Sequence, residues 1–154
     1  MKHTKSSVFL LPIFLLIGCK AENEFDTFPQ RIDARTFSVH TPQNWNLYED
    51  SGIDTYVGRI TGPSDIIYFD QGYLSFGGLE NVNEGEHTLL FQRLEIDQVP
   101  SILHKERRVG DSDGDVRLSV YIDAGDEKKL NRLYVFDPED EEQIIKIFRS
   151  HKFK

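Results

Sequence analysis

Carboxylates in the segment 111–115, DSDGD, stand at alternate positions, as the hard oxygen ligands of a calcium ion could. A helical calcium loop that begins at residue 111 also needs glycine at its sixth position and glutamate at its twelfth. These positions hold Val116 and Ile122, which fit a strand. The sequence therefore predicts an acidic turn and no dedicated metal site, and it leaves weak calcium binding by this turn open.

Two hydrolytic mechanisms can be considered for this sequence, one with Ser75 as nucleophile and one with a pair of carboxylates. A serine nucleophile in GYLSFG would need glycine two residues before Ser75, and Tyr73 stands there. Asp54, Asp70 and Glu80 could supply a carboxylate pair for glycoside hydrolysis, but the sequence does not give their separation. Because no catalytic or phosphate-binding motif is complete, we predict a protein that is not an enzyme and has no cofactor.

The single cysteine, Cys19, follows a short apolar segment near the amino terminus. Two lysines lie within residues 1–5, and residues 8–17, VFLLPIFLLI, are almost wholly apolar. Ten helical residues rise about 15 Å, which is too short for a hydrocarbon core of about 30 Å. The pattern is typical of a secretory signal peptide.

The segment Leu16-Ile17-Gly18-Cys19 resembles the lipobox of bacterial lipoproteins, in which a branched, a variable and a small residue precede an obligatory cysteine. The resemblance implies cleavage between Gly18 and Cys19. It also implies that the Cys19 thiol carries diacylglycerol and that the new amino terminus is acylated. Two or three acyl chains would anchor the protein stably, since each buried methylene contributes about 0.8 kcal/mol.

These features predict three regions in the chain. Residues 1–18 are the lipoprotein signal peptide, 19–34 the lipidated cysteine and its tether, and 35–154 a single globular domain. Lys20 follows the cysteine in place of the aspartate that marks inner-membrane retention. We therefore expect an outer-membrane lipoprotein of a Gram-negative bacterium, facing either the periplasm or the cell surface.

The chain is acidic, with a formal net charge of −8 that becomes −10 once Lys2 and Lys5 leave with the signal peptide. Such a charge repels phosphate backbones, so nucleic acid is not an expected partner. The expected partners are the membrane, through the lipid, and an unidentified envelope protein. The charge also suits an alternative function, that of an immunity-type protein that masks a basic toxin.

Apolar and polar residues alternate in several segments, which predicts a strand-rich domain. Strands are predicted at 35–41, 54–61, 66–70, 89–96, 102–107, 116–123 and 130–136, with a continuation at 73–76 and a helix within 44–51. Short turns between the strands favour an antiparallel sheet. The last two strands should form a hairpin.

The clearest helix signal follows the last strand. Asp137 can cap the helix and Pro138 suits its first turn, and an apolar stripe follows. The stripe consists of Ile144, Ile145, Ile147 and Phe148. We therefore predict an α+β fold in which helices cover a largely antiparallel sheet, with residues 151–154 as a short closing strand or a frayed end.

The order of these signals resembles the PsbP-like (Mog/PsbP) superfamily. The carrying residues are Pro42 and Trp45 in FSVHTPQNW, and Ser150 and Phe153 in IIKIFRSHKF. The resemblance implies an αβα sandwich with a carboxyl-terminal helix. It also implies binding to other proteins rather than catalysis.

Aromatic residues near the strand ends are the candidate partner-binding residues, since aromatic side chains are enriched at interfaces. The candidates are Trp45, Tyr48, Tyr68, Asp70 and Tyr73. The predicted function is that of a lipid-anchored, non-catalytic protein-binding module. The immunity-type protein and a carboxylate-dependent envelope hydrolase remain the alternatives.

Overall fold

The computed structural model describes residues 28–52, 54–110 and 115–154. The elements in chain order are β1 (Gln30–Asp33), β2 (Phe37–Thr41), β3 (Asn46–Ser51), β4 (Tyr56–Thr61), β5 (Ile66–Gln71), α1 (Tyr73–Phe76), a 3-10 turn (Leu79–Asn81), β6 (Thr88–Ile96), β7 (Val99–Arg107), β8 (Val116–Asp123), β9 (Leu130–Phe136), α2 (Glu141–Arg149) and β10 (Lys152–Phe153). Strands therefore dominate the described fold.

The strands form two antiparallel sheets. The larger has seven strands in the order β3-β4-β5-β9-β8-β7-β6, and the smaller has three in the order β1-β2-β10. After β5 the chain crosses to the far edge of the large sheet and returns strand by strand, so that β9 pairs with β5. Residues distant in sequence are thereby placed side by side at the centre of the sheet.

The period of two along β8 shows how the sequence forms this sheet. Leu118, Val120 and Ile122 are buried on one face, as the alternation predicts. The residues between them point to the opposite face. β8 and β9 are neighbours over seven residue pairs, which confirms the predicted hairpin.

One face of the large sheet packs against the small sheet and α2. Phe37 of β2 meets Phe69 of β5 edge to face, with ring centroids 5.1 Å apart. The apolar stripe of α2 contributes Ile144, Ile147 and Phe148 to the same core. This layer is therefore built of strands as well as a helix, and the helices do not clearly cover the sheet as an αβα sandwich would require.

The start of α2 differs from the sequence prediction. The capping residue is Asp140, whose Oδ1 accepts a hydrogen bond from the backbone N–H of Gln143 at 3.0 Å. Asp137 instead accepts bonds from the backbone N–H groups of Asp115 and Val116, at 3.0 and 2.9 Å. The backbone of Asp137 has a φ of 42°, a left-handed conformation that aspartate tolerates better than most residues other than glycine.

Two predicted elements have the opposite secondary structure. The segment predicted to contain a helix forms β3, because it pairs with β4 over six residue pairs. The segment 73–76 forms α1 and does not extend β5, since Gly72 and Gly77 on either side have φ angles of 120° and 73°. In addition, β1 lies within the 19–34 segment assigned to the tether, so the strands begin before residue 35.

Candidate functional site

The second face of the large sheet, which we call the open face, bears polar and aromatic side chains. The strand register aligns one residue from each strand in a continuous row across the sheet. The row consists of Tyr48, Arg59, Tyr68, Tyr134, Ser119, His104 and Phe91. Tyr48 and Arg59 are exposed and Tyr68 and Tyr134 partly exposed, whereas Ser119 and His104 are buried, so the accessible part of the row lies over β3, β4, β5 and β9.

An aromatic cluster occupies the middle of the open face. The rings of Tyr68 and Tyr134 are stacked with centroids 5.4 Å apart, at an interplanar angle of 21°. Phe136 contacts both, at centroid distances of 5.9 and 5.6 Å. All three rings remain partly exposed. The cluster is thus a preformed aromatic surface, which ordinary core packing does not require.

Arginine side chains lie over the aromatic rings. The guanidinium of Arg59 is 5.2 Å from the ring centroid of Tyr48, and that of Arg132 is 4.9 Å from the centroid of Tyr134. Each such cation–π contact contributes roughly 0.5–1 kcal/mol at an exposed site. The stacking fixes long side chains that would otherwise be mobile, and so reduces the entropy lost on binding a partner.

Ion pairs cross-link the same strands. Arg132 Nη2 lies 3.3 Å from Asp70 Oδ2, and Arg117 pairs with Glu106 on the neighbouring strand pair. Their side chains are 19–26% exposed, so solvent still screens the attraction in part. These pairs leave the charges of the open face locally balanced, although the whole chain carries −8.

The ion pairs do not satisfy every polar atom. Asp70 Oδ1, Arg117 Nε and Arg132 Nε are buried and have no hydrogen-bond partner within residues 28–52, 54–110 and 115–154. A buried group left unpaired costs roughly 1–3 kcal/mol.

A polar cavity of about 360 Å³ opens beside these atoms, where the α1–β6 connection crosses the sheet. The connection supplies Ser75, Phe76, Asn81, Val82 and Asn83, and the sheet supplies His104, Glu106, Tyr121 and Arg132. The Ser75 hydroxyl donates to the backbone carbonyl of Asp70 at 2.9 Å, which fixes α1 against β5. The wall of the cavity is thus held by specific bonds.

His104 is the titratable base of this cavity. Its Nε2 lies 3.2 Å from the Thr88 hydroxyl oxygen. Burial is the main cause that lowers its pKa; Glu106 opposes that change and Arg117 reinforces it. His104 is therefore neutral at pH 7, with one nitrogen that donates a hydrogen bond and one that accepts. Burial likewise raises the pKa of the Tyr134 hydroxyl, which keeps its proton.

The structure brings three of the five predicted partner-binding residues onto the open face. Tyr48, which is 48% exposed, and Tyr68 belong to the row defined above. Asp70 lies on the same face, two residues further along β5. Trp45 is only 1% exposed, because its ring packs on the backbone at Gly62, and it cannot belong to a surface. Tyr73, on α1, is 54% exposed and lines a separate groove.

The open face also includes residues that were not predicted as site residues, among them Arg59, Arg132 and Tyr134. Their signal was the period of two in β4 and β9, where they alternate with the buried residues Ile60 and Leu133. That alternation shows that each of them lies on the side of its strand opposite the buried residues. It does not show that β9 lies beside β5.

Two of the carboxylates considered for hydrolysis, Asp70 and Glu80, have different surroundings. Asp70 is bound to Arg132, whereas Glu80 lines the groove of Tyr73 together with Asp123 and Asp126. Among the described residues no group of three or more His, Cys, Asp or Glu side chains could hold a metal ion. Residues 111–114 of the acidic turn, and the lipobox with Cys19, lie outside the described residues.

Within the part of the chain that the structure describes, no helix is long and apolar enough to cross a membrane. No family model and no curated protein matches the chain. It is similar to a crystal structure of a protein from Bacteroides thetaiotaomicron VPI-5482, with 11% sequence identity and a TM-score of 0.48. The similarity covers 77% of this chain and 45% of that one, and it carries no functional argument.

Proposed function

We propose that this protein is a lipid-anchored envelope protein whose domain binds a protein partner, without catalysis, through the open face. The observation that carries the proposal is the set of stacked aromatic and arginine side chains that β3, β4, β5 and β9 present on the open face. Tyrosine and arginine are enriched among the residues that dominate binding energies at interfaces. A row already held by stacking and ion pairs needs little rearrangement on binding.

The chemistry of the open face defines the partner. The cluster of Tyr68, Tyr134 and Phe136 offers apolar ring surface at its centre. Arg59 beside it has a side chain that is 45% exposed and pairs with Asp50 only at 3.7 Å. We therefore propose a protein that buries an apolar side chain among the rings and directs carboxylates or carbonyl oxygens at the arginines.

The anchor in this proposal is the lipid on Cys19, cleaved after Gly18, in the outer membrane. The support is the lipobox sequence and the apolar segment before it. We also propose a relationship to the PsbP-like superfamily. Ser150, one of the residues of that resemblance, ends α2 and accepts a hydrogen bond from the backbone N–H of His40 at 2.7 Å, which joins the helix to β2.

Crosslinking and pull-down of the full anchored chain from intact cells test the proposal. We expect Tyr48→Ala and Arg59→Ala to lower the recovery of a specific partner at least tenfold, which corresponds to about 1.4 kcal/mol. Tyr73→Ala is the matched control, because it removes a tyrosine of similar exposure outside the open face.

Three outcomes separate the functional alternatives. If Tyr48→Ala lowers the recovery of the partner and Tyr73→Ala does not, the result supports the open face as the binding surface. Loss confined to Tyr73→Ala, with a strongly basic partner, refutes the open face and supports the immunity-type function, because the groove of Tyr73 is lined by carboxylates. Recovery that no variant changes refutes a specific interface on either surface.

A further inference from the structure

The polar cavity under the α1–β6 connection, which shares His104 with the row on the open face, has the size of a ligand site. Its volume of about 360 Å³ falls within the range of small-molecule pockets, roughly 300–1,000 Å³. It lies between two separately fixed walls, the large sheet and the α1–β6 connection. Such pockets combine apolar surface with a few polar groups that set orientation.

The charges of the cavity exclude strongly ionic ligands. Arg132 and Glu106 both line it, and each is paired with an opposite charge, Asp70 and Arg117 respectively. An anion would face Glu106 within a chain of net charge −8, and a cation would face Arg132. His104 adds no charge at pH 7, because burial lowers its pKa. A neutral ligand meets none of these penalties.

The hydrogen-bonding groups require a ligand that both donates and accepts. The cavity is lined by the amides of Asn81 and Asn83, which both donate and accept, by the donor Arg132 and by the acceptor Glu106. A hydroxyl can act in both senses, and neighbouring hydroxyls on one ring can serve a donor and an acceptor at once. Neutral His104 offers a further donor or acceptor on the cavity wall.

The apolar part of the wall suits the C–H face of a ring. Phe76 and Tyr121 meet edge to face with centroids 5.2 Å apart, and both line the cavity. Aromatic faces carry a partial negative charge that attracts C–H groups. We infer that the cavity binds a neutral saccharide, held between Arg132 and the Phe76–Tyr121 wall. This site does not depend on the proposed protein-binding function.

Saturation-transfer NMR with the full chain tests the inference. The probes are glucose, galactose and N-acetylglucosamine, their disaccharides, and the charged analogues glucuronate and glucosamine. We expect at least one neutral saccharide to bind at least tenfold more tightly than its charged analogue. Stronger binding of the disaccharide identifies the end of a glycan chain as the ligand, and equal binding identifies a free sugar.

Arg132→Lys is the decisive variant, because lysine keeps the charge beside Asp70 and removes the planar fork of guanidinium N–H donors. We expect it to weaken saccharide binding at least tenfold, while Asn83→Ala, at the exposed rim, has a smaller effect. Arg59→Lys is the matched control: it also alters an arginine stacked on a tyrosine and paired with an aspartate, but outside the cavity. It should leave saccharide binding unchanged.

The inference is overturned by any of three results. The first is no binding of a neutral saccharide up to roughly 10 mM, a concentration that would detect even a millimolar Kd. The second is tighter binding of a charged analogue. The third is equal weakening by Arg132→Lys and Arg59→Lys, which would place the sugar elsewhere on the open face.

Discussion

Acidification should destabilise the fold through His151, which is 1% exposed between the two sheets. Its ring stacks on Phe37, and its Nε2 lies 2.9 Å from Asn131 Nδ2. An amide nitrogen only donates, so this contact suits the unprotonated ring nitrogen. Burial lowers the pKa of His151 from 6.5 to about 3. The folded protein therefore resists protonating this ring.

The sign and size of the effect follow from proton linkage. Between pH 6.5 and about 3 the unfolded chain binds the His151 proton and the folded protein does not. The free energy of unfolding therefore falls as the pH falls through this window. Each pH unit is worth 1.36 kcal/mol, so the loss from this one group between pH 7 and pH 5 is about 2 kcal/mol.

Urea unfolding of the full chain and of His151→Gln, at pH 7 and at pH 5, measures this loss. Glutamine does not titrate, and the carboxylates change the free energy of unfolding of both proteins equally on acidification. The difference in free energy of unfolding between the unsubstituted chain and His151→Gln should therefore fall by about 2 kcal/mol from pH 7 to pH 5. An advantage that stays constant within 0.5 kcal/mol would show that His151 is not buried as described and would refute the reasoning.

Three further predictions concern other parts of the chain. Cys19→Ser should abolish acyl labelling and release the protein from membranes; unchanged membrane retention in a fractionation experiment would contradict the lipobox assignment. Asp137→Ala removes the acceptor of two backbone N–H groups at the start of β8 and should lower the free energy of unfolding by about 1–3 kcal/mol, measured with urea. Gly62→Ala places a Cβ 2.3 Å from the Trp45 ring and should shift or quench tryptophan fluorescence and lower stability by about 1–3 kcal/mol, whereas Gly85→Ala, with open space around it, should do neither.

The elements that the sequence predicted correctly are those whose local pattern agrees with their environment. β8 and β9 alternate because one of their faces is buried, and α2 carries an apolar stripe above the core. In β3, which was predicted to contain a helix, Glu49 and Asp50 belong to residue types that are depleted in strands, so the local composition does not indicate one. They are tolerated there because β3 is an edge strand with both side chains exposed.

The misassignment of α1 has a different physical origin. Its sequence, YLSF, has the aromatic and apolar composition of a strand. The flanking glycines adopt backbone angles that end β5 and redirect the chain, and this depends on contacts that four residues do not reveal. Tyr73 and Leu74 consequently project into solvent, with exposures of 54% and 66%.

The candidate site was only partly predictable because it depends on pairing between distant strands. Tyr48, Tyr68 and Asp70 come from β3 and β5, which are close in sequence. Tyr134 and Arg132 join them only because β9 pairs with β5. Strand periodicity gives the side of a strand that a residue occupies, but the neighbour of that strand is set by the packing of the whole sheet.

The position of β1 has a consequence for how the domain would stand at a membrane. β1 belongs to the small sheet, which covers the face of the large sheet opposite the open face. A tether that joins the chain at β1 therefore reaches the domain from its covered side. With a lipid on Cys19, the anchor would join the domain at the small sheet and leave the open face free for a partner.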